Sequence, residues 1–261
     1  MAAQQIRFED GAAYERMMGT WSQLAGDVFL EWLAPARRMR WIDIGCGNGA
    51  FTERLIARCE PAEVHGIDPS AAQIDYARAR PAARMAEFRQ GDAMALPFPD
   101  DRFDAAVMAL VIFFVPDPAK CVGEMARVVV PGGTVSAYTW DIHGGGFPLE
   151  PFRLELAALG LKAPLPPGSD ASRIDVSRNL WTAAGLEAIE TIEIPVQRTF
   201  ADFDDFWTAS IGSSVGRVVA TMTGEDVERL KNGLRVRLPA DSAGRITYGA
   251  RANAIVGRLP N

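Results

Sequence analysis

Cysteine is scarce in this chain of 261 residues, with only three present. Cys46, Cys59 and Cys121 share neither metal-ligand nor disulfide spacing, so no metal site is expected and a reducing compartment is. No apolar run reaches the roughly 18–20 residues that a membrane-spanning helix needs. The opening MAAQQIRFEDG lacks the basic-then-apolar order of a secretory signal, and the expected location is cytoplasmic. A basic cluster is missing too: 27 Lys and Arg stand against 33 Asp and Glu, a net charge of −6. A nucleic-acid partner normally requires a face of cations to neutralise phosphates. Arg37, Arg38 and Arg40 come nearest, and they read as a solvated helix end. A small-molecule partner is favoured.

What is present is ordinary for a globular protein: 48% hydrophobic and 23% charged residues, in a length that suits one α/β domain with an added subdomain. From about Met39 to Asp141, short β-branched runs alternate with helical-period segments, the rhythm of βαβ units on a parallel sheet. The expected strands are Arg40–Ile44, Glu63–Asp68, Ala86–Gln90, Asp104–Leu110 and Thr134–Trp140, with helices starting near Ala50, Ser70 and Pro118. Upstream, apolar residues from Tyr14 to Leu33 form one helical stripe. Thr20-Trp21-Ser22-Gln23 matches a capping box, which predicts two short helices broken at Gly19. Residues 142–175, rich in glycine and proline, show no strand pattern. Beyond them the pattern predicts a helix at Ser177–Ala184, a strand at Glu187–Phe200, helices near Phe203–Ile211 and Glu225–Val236, and a last strand near Ile246–Val256.

The informative stretch is Trp41-Ile42-Asp43-Ile44-Gly45-Cys46-Gly47-Asn48-Gly49. A strand ending in closely spaced glycines lets the backbone turn sharply and approach a ligand, at the carboxyl ends of parallel strands where open α/β sheets bind ligands. The following helix offers unpaired amides at its start. The spacing is Gly-x-Gly-x-Gly, not the dinucleotide Gly-x-Gly-x-x-Gly. Asp43 lies on the strand immediately before it, where a pyrophosphate would be repelled and a ligand bearing an ammonium and a sulfonium attracted. Asp68, ending Val64-His65-Gly66-Ile67-Asp68, is placed to accept two ribose hydroxyls. Asp92, in Gly91-Asp92-Ala93, is placed to accept from an adenine amine, with the Ala93 or Met94 amide facing a ring nitrogen.

With these residues in place, residues 41–140 resemble the class I S-adenosylmethionine-dependent methyltransferases of small molecules, in the broad group that includes ubiquinone and menaquinone biosynthesis C-methyltransferases. The matching stretches are Asp43 to Gly49, Gly66-Ile67-Asp68, Gly91-Asp92-Ala93 with Leu96-Pro97-Phe98, Phe103-Asp104, Val115-Pro116-Asp117-Pro118, Glu124 to Val128 and Pro131-Gly132-Gly133. The resemblance implies an α/β, Rossmann-like sheet of seven strands in order 3-2-1-4-5-7-6, the last antiparallel, with helices on both faces and a helical cap. It implies S-adenosylmethionine as cofactor, held by Asp43, Gly45, Cys46, Gly47, Gly49, Asp68, Pro69, Gln73, Asp92, Ala93 and Met94. Ala109 and Leu110 would line its methionine end, and Tyr14, on an N-terminal lid, would close over it.

The expected layout is one domain: lid helices at 10–34, a cofactor core at 39–141, cap segments at 142–175 and 201–240, and sheet completion at 177–200 and 244–257. Methyl transfer is an in-line displacement in which the protein holds the acceptor about 3–3.5 Å from the methyl carbon, so a general base is not always needed. His143, the titratable base after the fifth strand, is the weak candidate for one; a place on a glycine loop explains it as well. Trp140-Asp141 is similarly placed. His65 and Asp104 read as structural, and Cys46 as a small residue in a tight loop. Phe147, Phe152, Phe203, Phe206 and Trp207 suggest a partly apolar acceptor, or equally a subdomain core. Two other functions compete: a protein that binds the same cofactor without turnover, and an NAD(P)-dependent oxidoreductase.

Overall fold

The computed structural model describes residues 18–162, 165–212 and 214–261. Seven strands form its sheet: β1 (Arg40–Ile44), β2 (Glu63–Asp68), β3 (Glu87–Gln90), β4 (Phe103–Ala109), β5 (Val129–Trp140), β6 (Glu187–Phe200) and β7 (Ile246–Arg258). They lie in the order β3-β2-β1-β4-β5-β7-β6. β1 pairs in parallel with β2 and β4, placing Asp43 beside Gly66 and Val107. β7 alone runs antiparallel, to β5 and to β6. This is the arrangement the resemblance implies.

The helices are α1 (Thr20–Leu33), α2 (Ala50–Cys59), α3 (Ala71–Arg78), α4 (Pro118–Val128), α5 (Glu150–Ala158), α6 (Ile174–Ala183), α7 (Phe203–Ile211), α8 (Ser214–Val219) and α9 (Gly224–Arg237). A parallel sheet needs cover on both faces, and alternate residues of β1 show it. Ile42 and Ile44 pack into a core with Val122 and Met125 of α4 and Trp181 of α6. Trp41 faces the opposite core, shared with Phe29 of α1, Leu55 of α2, Phe152 of α5 and Phe206 of α7. At the amino ends of the strands, Asp104 accepts from the Arg40 amide at 2.7 Å, from Nε at 3.1 Å and from Nη2 at 2.7 Å. That clamp fixes β1 against β4 and gives Asp104 the structural role expected of it. Arg37 likewise pairs with Glu60.

The motif residues Leu96-Pro97-Phe98 and Glu124 to Arg127 are joined in the structure. Glu124 accepts from the Leu96 amide at 2.7 Å, while Arg127 donates to the carbonyls of Phe98 at 2.8 Å and Leu96 at 3.1 Å. Two side chains of α4 thus hold the loop that leads into β4.

The structure departs from the sequence expectations in three places. Gly19 does not break the helix: it is itself helical (φ −55°, ψ −50°), and no side chain caps the start of α1. A cap residue needs non-helical dihedrals, and Thr20 lies inside the helix, so the capping box does not form. The earlier of the two expected helices, with Tyr14, lies outside the described residues. Next, the Pro/Gly-rich 142–175 segment contains α5, with Pro151 in its first turn, where the missing N–H costs no hydrogen bond, and Phe152 and Leu156 buried. Finally, β5 starts at Val129, earlier than Thr134, and absorbs Pro131-Gly132-Gly133 as an irregularity in its pairing with β4.

Candidate functional site

The loop joining β1 to α2 folds as its glycines require. Gly45, Gly47 and Gly49 have φ of +74°, +53° and +79°, a region L side chains rarely enter. The amides of Gly45 and Cys46 both donate to the Ile67 carbonyl, at 2.7 and 3.0 Å, so the turn is anchored on β2. A Cβ on Gly45 would lie 2.4 Å from Val111 Cγ1, whereas one on Gly47 would meet nothing within 4 Å. The loop is therefore packed from beneath at Gly45 and open at Gly47.

Two carboxylates flank it. Asp43 is fully buried; its Oδ2 accepts from Thr52 Oγ1 at 2.6 Å, and its Oδ1 has no hydrogen-bond partner. Burial raises its pKa to about 7, opposed by the Thr52 hydrogen bond and assisted by the nearby charge of Asp68. Asp68, at the end of β2, accepts from the Gly47 amide at 3.0 Å and the Ser70 amide at 2.9 Å. Its pKa is also raised by burial, with those two amides pulling the other way. Each Asp68 oxygen keeps a second lone pair for a ligand hydroxyl.

The Asp43 shift carries a consequence for stability. A carboxyl whose folded pKa lies above its unfolded value stabilises the fold below the unfolded pKa, and that contribution is lost as pH rises through about 7. Asp43→Asn is expected to melt higher than wild type above neutrality, by roughly 2–4 kcal/mol in stability, with the gap closing toward about pH 4. Thermal melts of both proteins across that range check it; a gap that does not vary with pH contradicts it.

Around this pair the remaining expected residues fall as follows. Pro69 is exposed and its carbonyl accepts from Gln90 Nε2 at 2.9 Å. Gln73 is buried on α3, and its amide donates to the capping Ser70 hydroxyl at 3.4 Å. Asp92 is exposed beyond β3, and its Oδ1 accepts from the Met94 amide at 2.8 Å. Leu110, just past β4, has φ +60° and donates its amide to the Tyr138 carbonyl at 2.8 Å, beside the half-buried Ala109. Cys46 is buried, and its thiol is held well above its ordinary pKa by burial and by the charges of Asp43 and Asp68. Such a thiol is a packing group, not a nucleophile.

Three supporting residues were not singled out from the sequence. Thr52 holds Asp43 from the first turn of α2. Val111 packs against Gly45. Arg80, beyond α3, donates from Nε to the Asn48 carbonyl at 2.6 Å and from Nη1 to Glu53 at 2.9 Å, bracing the glycine loop from the side. Only Thr52 had a signal, a hydroxyl one turn into the helix that follows the loop.

The other candidates take structural places. The His65 ring lies between Glu63 at 2.6 Å and Glu87 at 3.2 Å, edge-on to Phe98 and Phe103. Asp141 is buried against the Arg251 guanidinium and accepts from the Gly144 amide at 2.8 Å. His143 Nε2 stands 3.1 Å from Asp170, tying the start of the β5–α6 connection to its end. Phe152 and Phe206 are fully buried and stack on each other at 5.4 Å. Both belong to the core that Trp41 faces. No cluster of potential metal ligands occurs among the described residues.

Residues 42–137 match a family model described as a methyltransferase domain. Over 129 residues the chain is 37% identical to 2-methyl-6-phytyl-1,4-hydroquinone methyltransferase 2, chloroplastic, of Oryza sativa subsp. japonica, covering 48% of this chain and 36% of that one. Over 115 residues it is 39% identical to demethylmenaquinone methyltransferase of Thermus thermophilus, covering 43% of this chain and 50% of the relative. The chain thus spans half or less of these relatives' lengths. In fold it is similar to Haemonchus contortus phosphoethanolamine N-methyltransferase 2, solved in complex with phosphomonomethylethanolamine and S-adenosylhomocysteine. That match has a TM-score of 0.59 at 18% identity and covers 95% of this chain and 57% of the other.

Proposed function

We propose, from the premise that residues 42–137 belong to the methyltransferase domain family, that the chain binds S-adenosylmethionine and passes its methyl group to a small, partly apolar molecule. The single observation that carries the cofactor reading is the unpartnered, fully buried Asp43 Oδ1 beneath an open glycine loop. An orphaned carboxylate oxygen in low dielectric needs a proton or a cation nearby, and a pyrophosphate above it would be repelled. This disfavours a dinucleotide.

In this reading Asp68 accepts the ribose hydroxyls while the Gly47 and Ser70 amides hold its carboxylate in place. Asp92 accepts from the adenine amine. Because the Met94 amide is already engaged by Asp92, Ala93 is the better amide for the ring nitrogen. Gln73 and Pro69 flank the adenosine side, and Cys46 contributes only its small size to the turn. Ala109 and Leu110 face the methionine end. The bound cofactor supplies an electrophilic methyl group on a sulfonium. The chain's own residues bind, orient and exclude water, and His143 acts by positioning the β5–α6 connection.

The quinol and quinone methyltransferases among the relatives support a small ring acceptor. The test is transfer of labelled methyl from S-adenosylmethionine to a panel of hydroquinones, phenols and amines. Labelled product from a hydroquinone or phenol supports the reading. Tight S-adenosylhomocysteine binding with no product across the panel instead supports a cofactor-binding protein without turnover.

A further inference from the structure

Behind the turn that follows β4, on the α4–α6 side of the sheet, lies a small cavity. Its walls include Ile112, Ile174 and Trp181 together with the polar side chains of Thr139, Ser177 and Asn253. Its volume is about 10 Å³, the room that one water molecule occupies. Thr139 and Asn253 are directly paired across β5 and β7, so their side chains share a face. Both are buried, at 3% and 7% exposure, and both keep an atom without a hydrogen-bond partner, Thr139 Oγ1 and Asn253 Oδ1. Orphaned polar atoms at that depth are costly, and two of them facing one water-sized cavity is not what apolar packing alone produces.

We propose that this cavity is a single-water site joining the sheet to the β5–α6 connection. Thr139 Oγ1 donates to the water, and the water donates to Asn253 Oδ1 and to Ser177 Oγ. Asn253 Nδ2 already donates to the Ser172 carbonyl at 2.9 Å, and Ser177 Oγ to the Ala171 carbonyl at 2.9 Å, so each has the matching acceptor left. The water completes a chain from β5 and β7 to the turn at Ser169–Ser172. The adjacent Gly168 amide donates to the Phe113 carbonyl at 2.8 Å, so the site also steadies the segment just after Leu110 and Val111. The proposal stands whichever ligand the glycine loop takes.

The sign of one substitution tests it. Thr139→Val is isosteric and removes only the hydroxyl. If the hydroxyl binds water, the variant loses that hydrogen bond and melts roughly 2–4 °C below wild type. If the cavity is dry, an unsatisfied buried hydroxyl is replaced by a methyl group and the variant melts at the same temperature or higher. A crystal structure of the wild-type protein gives a second, independent reading. One ordered water within about 3.2 Å of Thr139 Oγ1 and Asn253 Oδ1 is expected, and a cavity without density there overturns the proposal.

Discussion

Asp68→Ala is expected to weaken S-adenosylhomocysteine binding at least about 100-fold, the loss of two hydrogen bonds to a charged acceptor. The carboxylate has one task in the structure and a second in the proposed reading. It is the acceptor that closes the Gly47 end of the loop and the start of α3, through the Gly47 and Ser70 amides. In the proposed reading its second lone pairs accept the ribose hydroxyls. The conservative variant separates these tasks. Asp68→Asn keeps one carbonyl acceptor for the backbone but loses the charge, and a loss nearer tenfold is expected. Calorimetric titration of both variants decides it; equal, wild-type affinity in both would remove Asp68 from the site.

Gly45→Ala is the second change with a large expected effect, and its cause is steric. The new Cβ would lie 2.4, 2.7 and 2.9 Å from three atoms of the Val111 side chain, at a φ of +74°. Neither the clash nor the backbone conformation has an inexpensive escape, because the Gly45 amide is committed to Ile67. A stability loss of roughly 2–4 kcal/mol is expected, with cofactor affinity falling with it. Pairing the change with Val111→Ala separates the two causes. The double variant recovers the part due to the clash and retains the part due to backbone strain, which chemical denaturation of the single and double variants measures. Gly47, open above its Cα, has no comparable neighbour, so Gly47→Ala should cost less stability than Gly45→Ala.

The sequence was most legible where burial leaves a periodic trace. β1, β2 and β6 have the bounds expected from their residue patterns, and the glycine loop declares itself because positive φ leaves few other residues free to serve. The strand order came from the resemblance, since local periodicity carries no information about which strands become neighbours. α5 was hidden because prolines and glycines on either side mask a helix of nine residues. The capping box at Thr20 was a local pattern overridden by a helix already under way at Gly19. Within the site, the residues on the motif were readable, but the braces were not. Arg80 reaches Asn48 across 32 positions, and Val111 meets Gly45 only because β4 lies beside β1. The aromatic residues of 142–240 could not be sorted into core and pocket from sequence. Phe152, Phe203, Phe206 and Trp207 prove to be one packed cluster, a role that apolar composition alone does not distinguish from a lining.

The central claim is that the site takes S-adenosylmethionine rather than a dinucleotide. Parallel calorimetric titrations of the wild-type protein with S-adenosylhomocysteine and with NADH test it most directly. The account predicts heat and saturation with S-adenosylhomocysteine and none with NADH. Saturable binding of NADH alone would contradict it, and silence with both ligands from folded protein would reduce the glycine loop to a turn.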